Sequence, residues 1–394
     1  MAFILLDSFD DRYFANGASY ASYHTKWDDI SEDSTNTYAN SISQVTGRTG
    51  KACKIGGTSY LKKNFAAFTQ TCLCGFALKI ESAPGSDIEI VNVAFNHSGG
   101  NSNMSLKLTT DLDIAFYDGA NLIGTTNTND SLATNTFYYL EFILGFNQSS
   151  KSKLSIQKDG VNWLTENASE LENTSFTYVE AEIDSIQLKG GIIIDDLYLK
   201  TNEIVYYGQP KIDAIVPNAN TLLSRSNPWT ASYLDVDECF QTNHDGTTSY
   251  DISNTASPSS VSYNFTDKSY TTIKAIQSNS WVAAFEASGQ QADITFSALT
   301  NISSTDYEYA TTLVLSPESP AAFKYLLGAW EVNPATSSAW TSTAYNSAEF
   351  GVKSSGHLSG FSSGYLTAIT LEIAYIGEET PPPAQARSRV FLIT

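Results

Sequence analysis

The sequence predicts an all-β protein: two β-sandwich, jelly-roll-like domains followed by an extended C-terminal arm. Three observations carry this. The chain has 22 Tyr and 20 Phe among 394 residues and is rich in Thr, Ser and Asn. Aromatic and β-branched side chains suit a pleated surface, and Asn, Ser and Gly suit the turns between strands. Apolar residues recur over short runs cut by turn residues, while the longer period of an amphipathic helix is nearly absent. A chain of 394 residues is also long enough for two domains that each bury a core.

The first element is the apolar N-terminal stretch "MAFILLD" at residues 1–7. It has no basic region and no small-residue cleavage site after it, so it reads as a strand and not as a secretory signal. "DIEIVNVAF" (87–95) is a further strand. "DLDIAFYDGANLIGTT" (111–126) reads as a hairpin turning at Asp118-Gly119, a pair that tolerates the positive φ of a tight turn. "FYYLEFILGF" (137–146) is apolar on both faces except at Glu141, as in a central strand of a two-sheet sandwich. "KLSIQKDGVNWL" (153–164) is a second hairpin, turning at Asp159-Gly160. "SIQLKGGIIIDDLYL" (185–199) closes this half and sets two adjacent carboxylates, Asp195 and Asp196, inside a β-type run. Carboxylates are costly to bury, so the pair demands a reason.

The strand pattern breaks at "TNEIVYYGQPKI" (201–212), and the domain boundary is drawn there: 1–203 for the first sandwich and 204–377 for the second. Strands follow in "VSYNFTD", "TTIKAIQSNSWVAAFEA", "ADITFSAL", "YATTLVLS" and "LTAITLEIAYI". In the last, Ile369, Leu371, Ile373 and Tyr375 share one face, the alternation of a strand with one side buried. Residues 378–394 form the arm. Three prolines favour extended geometry, and the end, "RVFLIT", is apolar and β-prone. Val390, Phe391, Leu392 and Ile393 are the expected docking residues, adding a strand to a neighbouring subunit; a strand folded back onto its own domain is the alternative.

Net charge is −20, with 22 Lys and Arg against 42 Asp and Glu. A field of that sign repels phosphate backbones, so no nucleic-acid partner is expected. No apolar run is long enough for a transmembrane helix, so no membrane insertion is expected. The few cysteines argue for folding in a reducing cytoplasm. Cys53, Cys72 and Cys74 lack the paired spacing of a zinc site and read as buried thiols.

Several motifs together resemble a known family. "LLDSFDDRY" (5–13), Lys26-Trp27, "FYYLEF" and "IDDLYL" resemble, in that order, the concanavalin A-like (laminin-G-like) jelly rolls of tailed-bacteriophage virion structural proteins. "IVPNANTLLSRSNPWT", "YLDVDE", "TTSYDIS" and "SAWTSTAYNSAEFGVK" resemble the second part of the same family. The resemblance covers most of residues 1–376 as scattered motifs and brings no catalytic residues with it. It implies a virion surface component made and assembled in the bacterial cytoplasm, with other virion proteins and copies of itself as partners. It also implies that the first and last strands of the first jelly roll lie together, making "LLDSFDD" and "IIIDDLYL" neighbours.

Four chemical readings follow. Clustered acids could ligate calcium, with Asp7, Asp10, Asp195 and Asp196 as candidates against a reading as strand-end caps; no other cofactor is expected. "VEAEIDS" places Glu180, Glu182 and Asp184 at period two, the one acidic row that suggests a polysaccharide-degrading glycosidase. The four histidines form no triad pattern. Trp229 and Trp340 lie in polar stretches and are the candidates for stacking on host-surface glycans. The expected function is a non-enzymatic tail, neck or fibre component with weak glycan binding. A capsid decoration protein is the alternative, and a glycosidase the alternative from another class.

Overall fold

A computed structural model describes residues 3–9, 26–31, 42–48, 50–57, 59–65, 69–97, 100–126, 130–145, 153–166, 181–202, 205–220, 251–253, 258–286, 292–317, 323–356 and 362–377. The first half supplies β1 (Phe3–Asp7), β2 (Asp29–Ser31), β3 (Ile42–Thr46), β4 (Lys51–Ile55), β5 (Tyr60–Asn64), β6 (Thr71–Lys79), β7 (Ile88–His97) and β8 (Gly100–Leu108). It continues with β9 (Ile114–Asp118), β10 (Asn121–Thr125), β11 (Phe137–Gly145), β12 (Lys153–Lys158), β13 (Val161–Glu166), β14 (Glu182–Lys189) and β15 (Ile192–Thr201). The second half supplies β16 (Lys211–Ile215), β17 (Pro217–Asn220), β18 (Asp251–Ser253), β19 (Ser259–Phe265), β20 (Thr272–Glu286), β21 (Ile294–Ile302) and β22 (Thr305–Leu315). It ends with β23 (Lys324–Trp330), the two-residue strands β24 (Val332–Asn333) and β25 (Ser338–Ala339), the short helix α1 (Ser342–Asn346), β26 (Ala348–Ser355) and β27 (Ser362–Ile376).

These strands pair antiparallel into four main sheets. Sheet A runs β13-β12-β11-β6-β15-β4-β3, with β1 added on β15. Sheet B runs β10-β9-β8-β7-β14-β5-β2. Sheet C runs β16-β27-β20-β23, with β18 on β27, and sheet D runs β17-β19-β26-β21-β22. Both Asp-Gly hairpins form as the sequence requires. Asp118 pairs with Asn121 and Lys158 with Val161. Gly119, Asp159 and Gly160 hold φ values of 56°, 50° and 79°, the positive range such turns need.

The sheets stack in the order B, A, C, D. Phe76, Phe142 and Ile194 of sheet A meet Phe95, Leu106 and Ile186 of sheet B in one core. Ile276, Ile369 and Leu371 of sheet C meet Val261, Phe296 and Phe350 of sheet D in a second. A third apolar cluster lies between sheets A and C, where Leu6, Leu73, Ile143 and Tyr198 pack on Ala275, Ala329 and Ala374. The two inner sheets are therefore buried on both faces.

That layering refines two sequence expectations. Ile369, Leu371, Ile373 and Tyr375 of β27 do share the second core. The opposite face, Ala368, Thr370, Glu372 and Ala374, is also at most 1% exposed, because sheet A covers it. Strand β11 is central in sheet A, and Glu141 faces the A–C seam, not a sandwich core. Alternation alone records that two faces differ in polarity; it does not record that the polar face is covered.

Candidate functional site

The first and last strands of the first jelly roll are neighbours. Leu6 pairs with Tyr198, and Asp7 with Leu197. The reason for the carboxylate pair lies in the adjoining β-bulge. Against β6, Asp195 pairs with Ala77 and the next pair is Tyr198 with Gly75, so β15 carries an extra residue there. Asp196 sits at φ 48°, left-handed for a non-glycine residue. Its Oδ1 accepts from the Ile212 N–H at 2.7 Å, and its Oδ2 meets Arg48 Nε at 3.0 Å. Asp195 Oδ2 accepts from the Arg48 N–H at 2.6 Å, and its Oδ1 from the Asp196 N–H at 2.8 Å. The pair thus fastens the Arg48 turn and the entry to β16 onto sheet A. Burial raises the Asp196 carboxyl to about 6, against the pull of Arg48.

Asp7 belongs to a neighbouring network on the seam. Its Oδ2 accepts from Trp27 Nε1 at 3.1 Å, and its Oδ1 lies 3.4 Å from Lys26 Nζ. Lys26 Nζ donates to Glu372 Oε1 at 2.7 Å across the seam. Gln277 presents its amide to the β1 backbone, accepting from the Leu6 N–H at 2.8 Å and donating to the Leu6 carbonyl at 3.0 Å. Its Nε2 and Asn279 Nδ2 also lie 2.8 and 3.0 Å from Glu372 Oε2. Burial raises the Asp7 carboxyl to about 6, with Lys26 pulling the other way. The calcium candidates Asp7, Asp195 and Asp196 are thus brought near one another, and the oxygens described above face N–H donors. Asp10 lies outside the described residues. Among the described residues no group of three or more His, Cys, Asp or Glu is placed to hold a metal.

The outer face of sheet B is different. Register places one side chain from each of six strands in a row: Tyr117 (β9), Ser105 (β8), Asn92 (β7), Gln187 (β14), Lys62 (β5) and Asp29 (β2). Asn64, Asn96, Asn101 and Asn103 stand exposed on the same face. The core-facing partners are Val91, Val93, Leu106, Ile186 and Leu188. The Asn92 amide donates to Glu89 Oε1 at 3.1 Å, and Glu89 pairs with Lys189 at 2.5 Å. These two charges line a cleft of about 440 Å³ with Gly57, Ile88, Gly190 and Gly191. The side chains of Gln187 and Lys62, both half-buried, and of Ser105, only 5% exposed, have no hydrogen-bond or ion-pair partner among the described residues. On the other outer face, sheet D, polar groups pair with each other: Ser262 with Glu349 at 2.7 Å, Asn301 with Asp306 at 2.6 Å and Lys353 with Glu308 at 2.5 Å.

The remaining sequence candidates fall as follows. Glu182 pairs with Asn96 and lies half-buried on the outer face of sheet B, with Asp184 exposed beside it; Glu180 lies outside the described residues. A bulge between Ile183 and Ser185 shifts the register, so Ile183 and Ile186 both reach the core. Trp340, expected on the surface, is only 3% exposed. It packs beside Phe350 in the second core, and its Nε1 donates to the Trp330 carbonyl at 3.1 Å. Its polar neighbours in sequence belong to the turn around it, and no face of it is open to a sugar. Trp229 and Val390, Phe391, Leu392 and Ile393 lie outside the described residues. Cys53, Cys72 and Cys74 are buried free thiols, and burial pushes Cys72 up to about 12. Tyr117, Ser105, Asn92, Gln187 and Lys62 were not singled out from sequence. Their signal is local, a polar residue at each outward position of an apolar strand, but their alignment depends on the order of six strands.

No protein-family model matches the chain, and no curated protein matches it in sequence. Solved structures with a similar arrangement include the cellulose-induced protein Cip1, at 15% identity over 51% of this chain and 99% of that one, TM-score 0.37. The PL-14 alginate lyase of Aplysia kurodai is 11% identical over 51% of this chain and 100% of that one, TM-score 0.39. The endo-β-1,4-glucuronan lyase of Trichoderma reesei is 12% identical over 45% of this chain and 91% of that one, TM-score 0.34. The expectation of no enzymatic activity is corrected by this set. Two of the three are polysaccharide lyases.

Proposed function

We propose that the chain is a glycan-recognising protein whose ligand lies across the outer face of sheet B. One observation carries this reading: a continuous cross-strand row that combines an aromatic ring with hydroxyl, amide and ammonium groups, three members of which have no partner among the described residues. Sugars are bound by such sets, a ring face for the C–H surface and amides for the hydroxyls. The Asn-rich surround supplies further donors and acceptors, and the cleft at Glu89 and Lys189 opens beside the middle of the row, at β7 and β14.

The test is a glycan-array screen of the purified full chain, followed by titration of the best hit against Asn92→Ala and Gln187→Ala. Binding that falls in both variants, with unchanged melting, supports the proposal. Binding unaffected by both places the ligand elsewhere and overturns it. The same samples, assayed for new chain ends, read turnover; turnover lost in Glu182→Gln would make the face a catalytic one. The setting proposed for this recognition, a tailed-phage virion surface, rests on the sequence resemblance. Copy number in purified particles tests it: hundreds of copies favour a head-decorating protein, a few to some tens a tail component, and absence ends the virion reading.

A further inference from the structure

We infer that the ligand of the sheet B face is an acidic glycan, one carrying carboxylate or sulfate groups; this rests on the proposed glycan reading and deepens it. With 22 Lys and Arg against 42 Asp and Glu, carboxylates are in excess over the chain as a whole. Cations elsewhere are commonly met by one: Lys26 by Glu372, Arg48 by Asp196, Lys54 by Glu81, Lys200 by Glu331 and Lys353 by Glu308. Lys62 and Lys107, both half-buried on the outer face of sheet B, have no carboxylate partner among the described residues. Lys107 Nζ instead lies 3.9 Å from the ring centroid of Tyr117, the aromatic member of the row.

Geometry makes the two ammonium groups a pair of anchors. Lys62 on β5 and Lys107 on β8 are separated by β14 and β7, so about 14 Å of sheet lies between them at roughly 4.8 Å per strand. Asn92 and Gln187 lie between these strands, and Lys189, pinned to Glu89, borders the cleft on the same side. Of the acids on this face without a paired cation, Glu182 and Asp184 are displaced along β14 toward its start, while Asp29 stands opposite Lys62 and accepts from the Tyr60 hydroxyl at 2.9 Å. Lys62 and Lys107 therefore lie apart from the acidic start of β14, with Asp29 and the Lys189-paired Glu89 as their register neighbours. A chain with anionic groups spaced along it gains at Lys62 and Lys107 while its hydroxyls meet the amides between them. A neutral chain gains only a hydrogen bond to a hydroxyl from each lysine, without the charge attraction. The long-range field of the protein repels a polyanion, so the attraction is short-ranged and sensitive to salt.

The test titrates the full chain with oligogalacturonate, a sulfated heparin oligosaccharide, a cello-oligosaccharide of equal length and poly-aspartate, at low and high salt. The expected result is tighter binding of one acidic sugar than of the neutral one. That binding weakens with salt, and falls by about fivefold for each of Lys62→Gln and Lys107→Gln with melting unchanged. Neutral and acidic sugars bound equally, with no effect of the lysine variants but loss in Gln187→Ala, would overturn the acidic ligand and leave the glycan reading standing. Poly-aspartate bound as well as the acidic sugars would reduce the face to a non-specific anion patch and overturn this inference. No sugar bound at all would overturn both readings.

Discussion

Two polar sheet faces in this molecule use their polarity in opposite ways. On the seam between sheets A and C, the Glu372 carboxylate alone lies within hydrogen-bond reach of the Ser8 N–H and hydroxyl, Lys26, Gln277 and Asn279. On the outer face of sheet B, Ser105, Gln187 and Lys62 meet no partner among the described residues. The residue types overlap: amides, hydroxyls and lysines. What differs is the layer opposite. Where another sheet covers the face, each polar group must find a protein partner or bear its desolvation cost. Where nothing described covers it, the half-buried Gln187 and Lys62 side chains remain available to something outside the chain. Polar composition thus marks a candidate binding face only after the stacking order of the sheets is known.

The strongest way to break this comparison is to remove a partner from the seam. Lys26→Met leaves Glu372 and Asp7 buried without their shared cation. Loss of one member of a buried ionic set costs about 3–5 kcal/mol, so the midpoint of denaturant unfolding should fall sharply. An unchanged midpoint would mean that water reaches the seam. A pair substitution, Lys26→Met with Glu372→Gln, should recover part of the loss, because the uncompensated charge on Glu372 goes with its partner.

Gln277→Ala is the next largest. It strips the Leu6 N–H and carbonyl of their buried partners at once. Each unsatisfied buried group costs about 1–3 kcal/mol, so a loss of roughly 2 kcal/mol or more is expected in the same experiment.

Much of this architecture was legible in the sequence, and the reason is local. The Asp-Gly turns, the alternation in β27 and the apolar run of β11 are decided by neighbours a few residues apart. The resemblance-based expectation that "LLDSFDD" and "IIIDDLYL" are adjacent agrees with the β1–β15 register. The four-layer stack was not legible, because it depends on contacts such as Leu6 to Gln277, 271 residues apart. Without the stack, Glu141 looked like an interruption in a core strand. In the fold its Oε1 accepts from the Tyr198 hydroxyl and, at 2.9 Å each, from the Tyr207 and Gly208 N–H groups, holding the linker against sheet A. Trp340 misled for the same reason: a tryptophan among serines and threonines reads as exposed until the turn around it is seen to close over the second core.

A smaller effect follows from pH. Asp7 and Asp196 are raised by burial to about 6, above the ordinary carboxylate value of about 3.9 in an unfolded chain. Between those values the folded state binds more protons than the unfolded state, so stability rises as pH falls from about 7 toward 5. Melting temperature should therefore increase over that interval, and the increase should shrink in Asp7→Asn. A melting temperature that drops on mild acidification would show that ion-pair loss outweighs relief of buried charge.

The smallest expected effect is the most informative. Gln187 and Gln277 carry the same side chain in strands β14 and β20, yet one is unpartnered on a face no described layer covers and the other is at 0% exposure between two sheets. Gln187→Ala removes no described hydrogen bond and opens no core cavity, so stability should change by less than about 0.5 kcal/mol. Unfolding of the two alanine variants, run side by side, measures the contrast directly. If Gln187→Ala destabilises as much as Gln277→Ala, the outer face of sheet B is covered in the folded chain, and its open donors are structural. If stability holds while affinity for the glycan falls, the amide serves a ligand and not the fold. A stable variant with unchanged affinity would leave Gln187 solvated, and the remaining members of the row would have to carry recognition without it.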